Sequence, residues 1–335
     1  MIRRWTVIVA AMLAALGHAV PLPAQTANER IVAVGDLHGD YSAWLTIARA
    51  SRLVGTDNKW AAGKTIFVQT GDVTDRGPDS LKIIRHLQEL EREARAAGGK
   101  VIVLLGNHEA MQVTGDLRYV HPGEYAAFAN RQSGRRRAAA FEANKERISE
   151  YFLARDPSLS PEAIEAEWLK ETPLGKVEHD TAWSPKGDLG QWAARLPAVV
   201  KVGDTLFAHG GINGQYALVP MVEINRRAKA AIEAGDASPE AIINDENGPL
   251  WYRGLANETG SGGRTAENEL DAALKVTGTK RLVVGHTPKK GAPRFALNGK
   301  LVLIDTAISS YYGGSLGWIE IVGDRVTPHV TERRP

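Results

Sequence analysis

Gly71-Asp72-Val73-Thr74-Asp75-Arg76-Gly77 follows the apolar run Thr65-Ile66-Phe67-Val68 and precedes Pro78. The run, extended to Gln69, reads as a buried strand, and the proline as a first-turn residue of a helix. A strand that ends in two acids and an arginine between glycines, then turns into a helix, presents charge at its C-terminal edge. That edge is where open α/β sheets hold their ligands. The pattern recurs on both sides. Ile31-Val32-Ala33-Val34 enters Gly35-Asp36-Leu37-His38-Gly39-Asp40, and Val101-Ile102-Val103-Leu104-Leu105 enters Gly106-Asn107-His108-Glu109.

Helical patterns fill the gaps. Trp44, Leu45, Ala48 and Leu53 recur at near-helical spacing after Tyr41, with Ser42 as N-cap. Leu81, Ile84, Leu87 and Leu90 form a stripe that opens at Pro78 and stops at Gly98-Gly99. The order β-α-β-α-β predicts an α/β fold with a parallel sheet. Residues 116–192 carry no strand pattern and read as a helical insertion or cap within one catalytic domain spanning 28–335. Arg131, Arg135, Arg136, Arg137, Lys145 and Arg147 make part of it basic. With Glu142 and Glu146 between them they read as a solvated helix face, a substrate-docking patch being the sharper alternative. Strands resume at Ala198–Val202 and Thr205–Ala208, the latter entering His209-Gly210-Gly211. Arg281–Val284 enters Gly285-His286. A hairpin turns at Asn298-Gly299 between Phe295 and Ile304, and a last one spans Trp318–His329.

Composition narrows the chemistry. The 335 residues are 43% hydrophobic, enough for a large core, and include no cysteine. Disulfides and thiolate metal sites are excluded, so a metal must sit on His, Asp, Glu or Asn. Residues 1–24 combine Arg3 and Arg4, an uncharged apolar run from Trp5 to Leu16, and Pro21-Leu22-Pro23-Ala24. This reads as a secretory signal cut near Ala24 and places the protein in the periplasm, an uncleaved anchor being the alternative. Its removal takes the formal charge from +2 to 0, since residues 1–24 hold those two arginines and no Lys, Asp or Glu. A neutral protein gives no reason to expect nucleic acid or an anionic membrane as partner.

The strand ends supply Asp36 with His38, Asp72, Asn107, His209 and His286. If parallel strands bring them to one edge, they form two sets of oxygen and nitrogen ligands suited to Mn, Fe or Zn, with Asp72 as the natural bridge. A metal pair about 3.5–4 Å apart lowers the pKa of a water and clamps phosphate oxygens. His108 could protonate a leaving oxygen, with Asp75 orienting it. Arg76 offers a fork to phosphate, and Arg253, after Trp251-Tyr252, a second one. No G-x-S-x-G or P-loop pattern occurs. His86, His121, His179 and His329 lack ligand-like partners and read as structural. Trp44, Trp168, Trp183 and Trp192 read as helix packing.

Gly35-Asp36-Leu37-His38-Gly39, Gly71–Gly77 and Gly106-Asn107-His108-Glu109 resemble the signature motifs of the PPP-type metallophosphatases, and His209-Gly210-Gly211 and Gly285-His286 resemble their later metal-histidine motifs. The resemblance runs from about Ile31 to Asp305. It implies a calcineurin-like α/β/β/α sandwich of two mixed sheets holding two divalent metals. Asp36, His38 and Asp72 would hold one metal, and Asp72, Asn107, His209 and His286 the other. His108 with Asp75 would be the acid pair, and Arg76, Asn107 and Arg253 would bind phosphate. The chain is most similar to the Shewanella-like branch, through Gly-Asp-x-His-Gly-Asp, the long insertion, Gly-Pro-Leu-Trp-Tyr-Arg and the signal peptide; some members of that branch favour phosphotyrosine. Ser309-Ser310-Tyr311-Tyr312-Gly313-Gly314 does not resemble the toxin-binding region of the eukaryotic enzymes. The expectation is a phosphomonoesterase acting on a phosphoprotein or small phosphoester by direct attack of hydroxide. A diadenosine tetraphosphate hydrolase is the enzyme rival, and Asp75 argues against it because that group usually lacks the acid there. A non-catalytic phosphoprotein-binding scaffold is the rival of another class.

Overall fold

A computed structural model describes residues 29–333, so the segment read as a signal lies outside the described residues. β1 (Arg30–Val34), α1 (Tyr41–Ala50), β2 (Ile66–Gln69), α2 (Ser80–Ala96) and β3 (Lys100–Val103) follow the β-α-β-α-β order, and the three strands pair in parallel. α3 (Asn107–Thr114) carries the third motif, and the helical insertion follows as α4 (Pro122–Phe128), α5 (Ser133–Ala143), α6 (Lys145–Arg155), α7 (Pro161–Glu171), α8 (Lys176–Trp183) and α9 (Asp188–Ala193). β4 (Val199–Val202), β5 (Thr205–Ala208), α10 (Met221–Ala234), α11 (Ala266–Thr277), β6 (Arg281–Val284), β7 (Arg294–Ala296), β8 (Leu301–Leu303), β9 (Leu316–Val322) and β10 (Arg325–Thr331) complete the chain.

The strands form two five-stranded sheets, ordered β10-β9-β1-β2-β3 and β4-β5-β6-β8-β7. The first is antiparallel across β10-β9-β1 and parallel across β1-β2-β3, and the second has antiparallel edges around a parallel centre, so both are mixed. Their inner faces bury Ile31, Ala33, Val68, Ile102 and Ile319 of the first against Phe207, Val283 and Val302 of the second. A separate cluster covers the outer faces, with Trp44, Ile83 and Leu87 from α1 and α2, and Ile232, Leu270 and Leu274 from α10 and α11. The result is the α/β/β/α sandwich that the motifs implied. The strand ends do meet at one edge, and they reach it from two sheets: β1, β2 and β3 lie in one, β5 and β6 in the other. Short apolar runs buried on both faces look alike whichever sheet they join.

Local differences have local causes. Asp40, not Ser42, caps α1, its Oδ1 accepting the Ala43 amide at 2.9 Å. α2 opens at Ser80, past Pro78, with Asp79 at the N-cap and its amide donating to the Gly39 carbonyl at 3.0 Å. β3 ends at Val103, and the Leu105 amide donates to Pro197 outside the sheet at 3.0 Å. In the insertion, His179 sits edge-on to Tyr125 and Phe128, and Trp183 to Trp192. Trp168 packs on Phe141, and Trp44 stacks on Phe67. Arg136 pairs with Glu178 at 2.9 Å, while Arg131 and Arg135 lie exposed. Among the described residues no helix is long and apolar enough to cross a membrane.

Candidate active site

The loops after β1, β2, β3, β5 and β6 meet at one rim of the sandwich. His38, Asp72, Asp75, Arg76 and His286 all have positive φ, between 42° and 70°. Such non-glycine strain, about 1–3 kcal/mol per residue, persists only where the surroundings hold it. Here they do. The Asp72 carbonyl accepts the Leu37 and His38 amides, both at 3.0 Å, tying the first motif to the second. Glu109 ties the second to the third: its carboxylate accepts the amides of Gly106, Asp72 and Val73 at 2.8–2.9 Å and that of Thr74 at 3.2 Å. Gly106 must be glycine, since a Cβ there would collide with the Asp72 carboxylate and amide.

Two triads result. Ligand atoms of His38, Asp72 and His108 lie within 4.8 Å of one another, as do those of Asp72, His209 and His286. Asp72 is common to both. The imidazoles of His38, His209 and His286 are each fixed by a backbone carbonyl. His38 Nδ1 meets the Thr74 oxygen at 2.9 Å and His209 Nδ1 that of Thr70 at 2.7 Å, leaving Nε2 for the site. His286 does the reverse, Nε2 meeting the Trp251 oxygen at 3.0 Å. Carbonyl partners of this kind set the tautomer and aim the ring. Asn107 joins the second triad through Oδ1, 3.0 Å from His209 Nε2. Asp36 stands outside both triads, both its oxygens accepting the His286 amide at 2.9 and 3.1 Å.

The charge state suits cations. Burial and the neighbouring His108 push His38 down to about 3, and burial, with His209 and Arg253, holds His286 well below its ordinary value, so both rings are neutral. Burial alone would raise Asp72, but His209, His108 and His38 outweigh it and keep its carboxyl well below the usual range. Burial, Asp305 and Asp72 push Asp36 up, and burial lifts Asp305 to about 6. Buried carboxyls crowded beside neutral imidazoles are what divalent ions would relieve, and the oxygen and nitrogen donors fit them.

His108 Nδ1 meets Asp75 Oδ2 at 2.5 Å, and its Nε2 faces Asp72 Oδ2 at 3.9 Å. Gln112, a turn along α3, donates to the other Asp75 oxygen at 2.6 Å. Burial opposes charge on His108, but Asp72 and the Asp75 hydrogen bond prevail and raise it above its ordinary value. The Arg76 guanidinium lies 3.7 Å from the Tyr119 ring centroid and 4.9 Å from that of Tyr311, and its buried Nε has no partner. Arg253 donates to the His286 carbonyl at 2.7 Å. Tyr312 lies 5.4 Å from His38. Glu109, Gln112, Asp305, Tyr119, Tyr311 and Tyr312 went unassigned in the sequence. Glu109 at the third helical position and Gln112 four residues past His108 carried a spacing signal; Tyr311 and Tyr312 carried none. His86, between Trp44 Nε1 and the Asn58 carbonyl, His121, capping α4, and His329, stacked on Trp318, belong to the fold.

The calcineurin-like phosphoesterase family matches residues 29–290. The chain is a calcineurin-like phosphoesterase. As such it is a hydrolase of phosphoesters. This phosphoesterase is 31% identical over 301 residues to an uncharacterised protein of Schizosaccharomyces pombe, covering 87% of this chain and 76% of that one. It is 30% identical over 297 residues to Shewanella-like protein phosphatase 2 of Arabidopsis thaliana, covering 84% of this chain and 72% of that one. Among solved structures it resembles the cold-active protein-tyrosine phosphatase of a psychrophilic Shewanella species, with TM-score 0.66 and 26% identity over 91% of this chain and 81% of that one.

Proposed function

We propose that this phosphoesterase is a two-metal phosphomonoesterase that removes phosphate from phosphorylated proteins, phosphotyrosine in preference to phosphoserine. Asp36, His38 and Asp72 would hold one divalent ion, and Asp72, Asn107, His209 and His286 the other; manganese is the proposed occupant, and iron and zinc suit the same donors. When bound, the ions supply hydroxide near neutral pH and neutralise phosphate charge. The chain's own groups do the rest. Arg76, Asn107 and Arg253 orient the phosphate. His108, with Nδ1 turned to Asp75, holds a proton at Nε2 for the leaving oxygen.

The observation that carries this reading is the Asp75–His108 pair at 2.5 Å beside the carboxylate shared by both triads. The tyrosine preference is supported by Tyr312 near His38 and the exposed Tyr311 near Arg76, which offer aromatic walls to a phenyl ring. The protein loaded with manganese should hydrolyse p-nitrophenyl phosphate and a phosphotyrosine peptide faster than a phosphoserine peptide or diadenosine tetraphosphate. No turnover on any of them would refute the enzyme, and a preference for the dinucleotide would replace the substrate class. The basic, apolar and small-residue pattern of residues 1–24 supports action in the periplasm. N-terminal sequencing of the protein from fractionated cells checks this, and an intact Met1 in the cytoplasmic fraction would sink it.

A further inference from the structure

Asp75 and Arg76 are consecutive non-glycine residues at φ 70° and 67°. Nothing in their own strand–helix unit receives their amides; residues of the helical insertion do. The Arg76 amide donates to the Tyr119 carbonyl at 3.0 Å, and the Asp75 amide to Glu124 Oε1 at 3.1 Å. The same Glu124 oxygen accepts the Ser80 hydroxyl at the start of α2, and Glu124 is 2% exposed. The Tyr119 ring backs the Arg76 guanidinium at 3.7 Å, a cation–π contact. A short stretch of the insertion, 119–124, thus grips both the backbone of the strained turn and one of its side chains.

We propose that Tyr119 and Glu124 are positioning residues through which the helical insertion clamps the Asp75–Arg76 turn. Glu124 sets Asp75 behind His108. Tyr119 sets the Arg76 guanidinium toward phosphate. The roles of Asp75 and Arg76 rest on the phosphatase reading above; the clamp itself is a statement about geometry. Displacement of a positioned group by about an ångström costs up to 10²-fold in rate. The two arms of the clamp should therefore fail in different kinetic constants.

The test uses manganese-loaded full-length protein, phosphotyrosine-peptide kinetics and calorimetric titration with inorganic phosphate. Tyr119→Leu should weaken phosphate binding and raise KM by about tenfold with a smaller change in kcat, whereas Tyr119→Phe, which keeps ring and carbonyl, should match the wild type. Glu124→Leu should lower kcat by about tenfold or more at nearly constant KM, and Glu124→Gln, which keeps an oxygen for the Asp75 amide, should restore most of it. Unchanged phosphate affinity in Tyr119→Leu, or an equal loss in Tyr119→Phe, overturns the Tyr119 arm. Equal losses in Glu124→Gln and Glu124→Leu overturn the other. If Glu124→Leu does not fold, the comparison of Glu124→Gln with the wild type stands, and a tenfold loss there counts against the clamp. A wild type that binds phosphate without turnover refutes the phosphatase reading alone, because the Tyr119 variants still read the clamp through binding.

Discussion

Two buried carboxylates at the rim do different work. Asp75 faces His108 and Gln112; Glu109 faces backbone amides. Asp75→Asn should therefore spare the fold and reduce kcat by about 10²–10³ through loss of general acid catalysis. The loss should be larger on a phosphoserine peptide than on p-nitrophenyl phosphate, whose leaving group needs little protonation; equal losses would remove His108 from the proton's path. Glu109→Ala should instead unfold. It strands the buried amides of Gly106, Asp72, Val73 and Thr74, each orphan costing about 1–3 kcal/mol, and a denaturant midpoint close to wild type would contradict it. Asp72→Asn should abolish turnover, and an active variant would refute Asp72 as the bridge between metals. Asp75 and His108 were legible as a pair from their motifs. Glu109 sat in the same motif, but its role as the knot between loops depends on approaches that only the folded chain makes.

At the scale of elements, α4 brings Glu124 under the catalytic turn. Burial, with Asp75 nearby, pushes Glu124 up to about 8. A carboxyl whose pKa is raised on folding stays protonated in the fold and ionises more readily in the unfolded chain. Its contribution is complete below the unfolded value of 4.5 and fades as pH rises through about 8. Glu124→Gln cannot ionise, so it should keep a stability that the wild type loses across that window, a difference on the order of a few kcal/mol by the top of it. Urea midpoints measured from pH 5 to 8 should diverge with rising pH; parallel curves would show Glu124 already ionised in the fold. The helical character of 116–192 could be read from the absence of strand patterns. Which helix touches the site could not, because α4 to α8 show no spacing that points at Asp75.

Across the molecule, the site exists because two sheets pack face to face. Phe207 is fully buried between them. Phe207→Ala should cost about 3–5 kcal/mol, seen as a lower denaturant midpoint, and should loosen both triads together. Chelation with EDTA should lower the melting temperature, since it leaves Asp36, Asp72 and Asp305 crowded with less compensation, and manganese should restore it. A melting curve indifferent to chelation would mean that no metal sits among them.

The sequence alone determined the βαβαβ start, the strand-end motifs and the candidate ligands for metal and phosphate, because each is written in local periodicity and adjacent residue types. Tertiary structure decided what local pattern does not encode. It divided the strands between two sheets and set Asp36 against the His286 amide, outside the triads. It brought Tyr119, Glu124, Tyr311 and Tyr312 from distant segments to Arg76, Asp75 and His38. These are contacts between stretches dozens to hundreds of residues apart, fixed by packing of the sheets and the insertion. The opening stretch Gly71–Gly77 shows both: its acids are named by the sequence, and its strained turn is held by residues the sequence placed elsewhere.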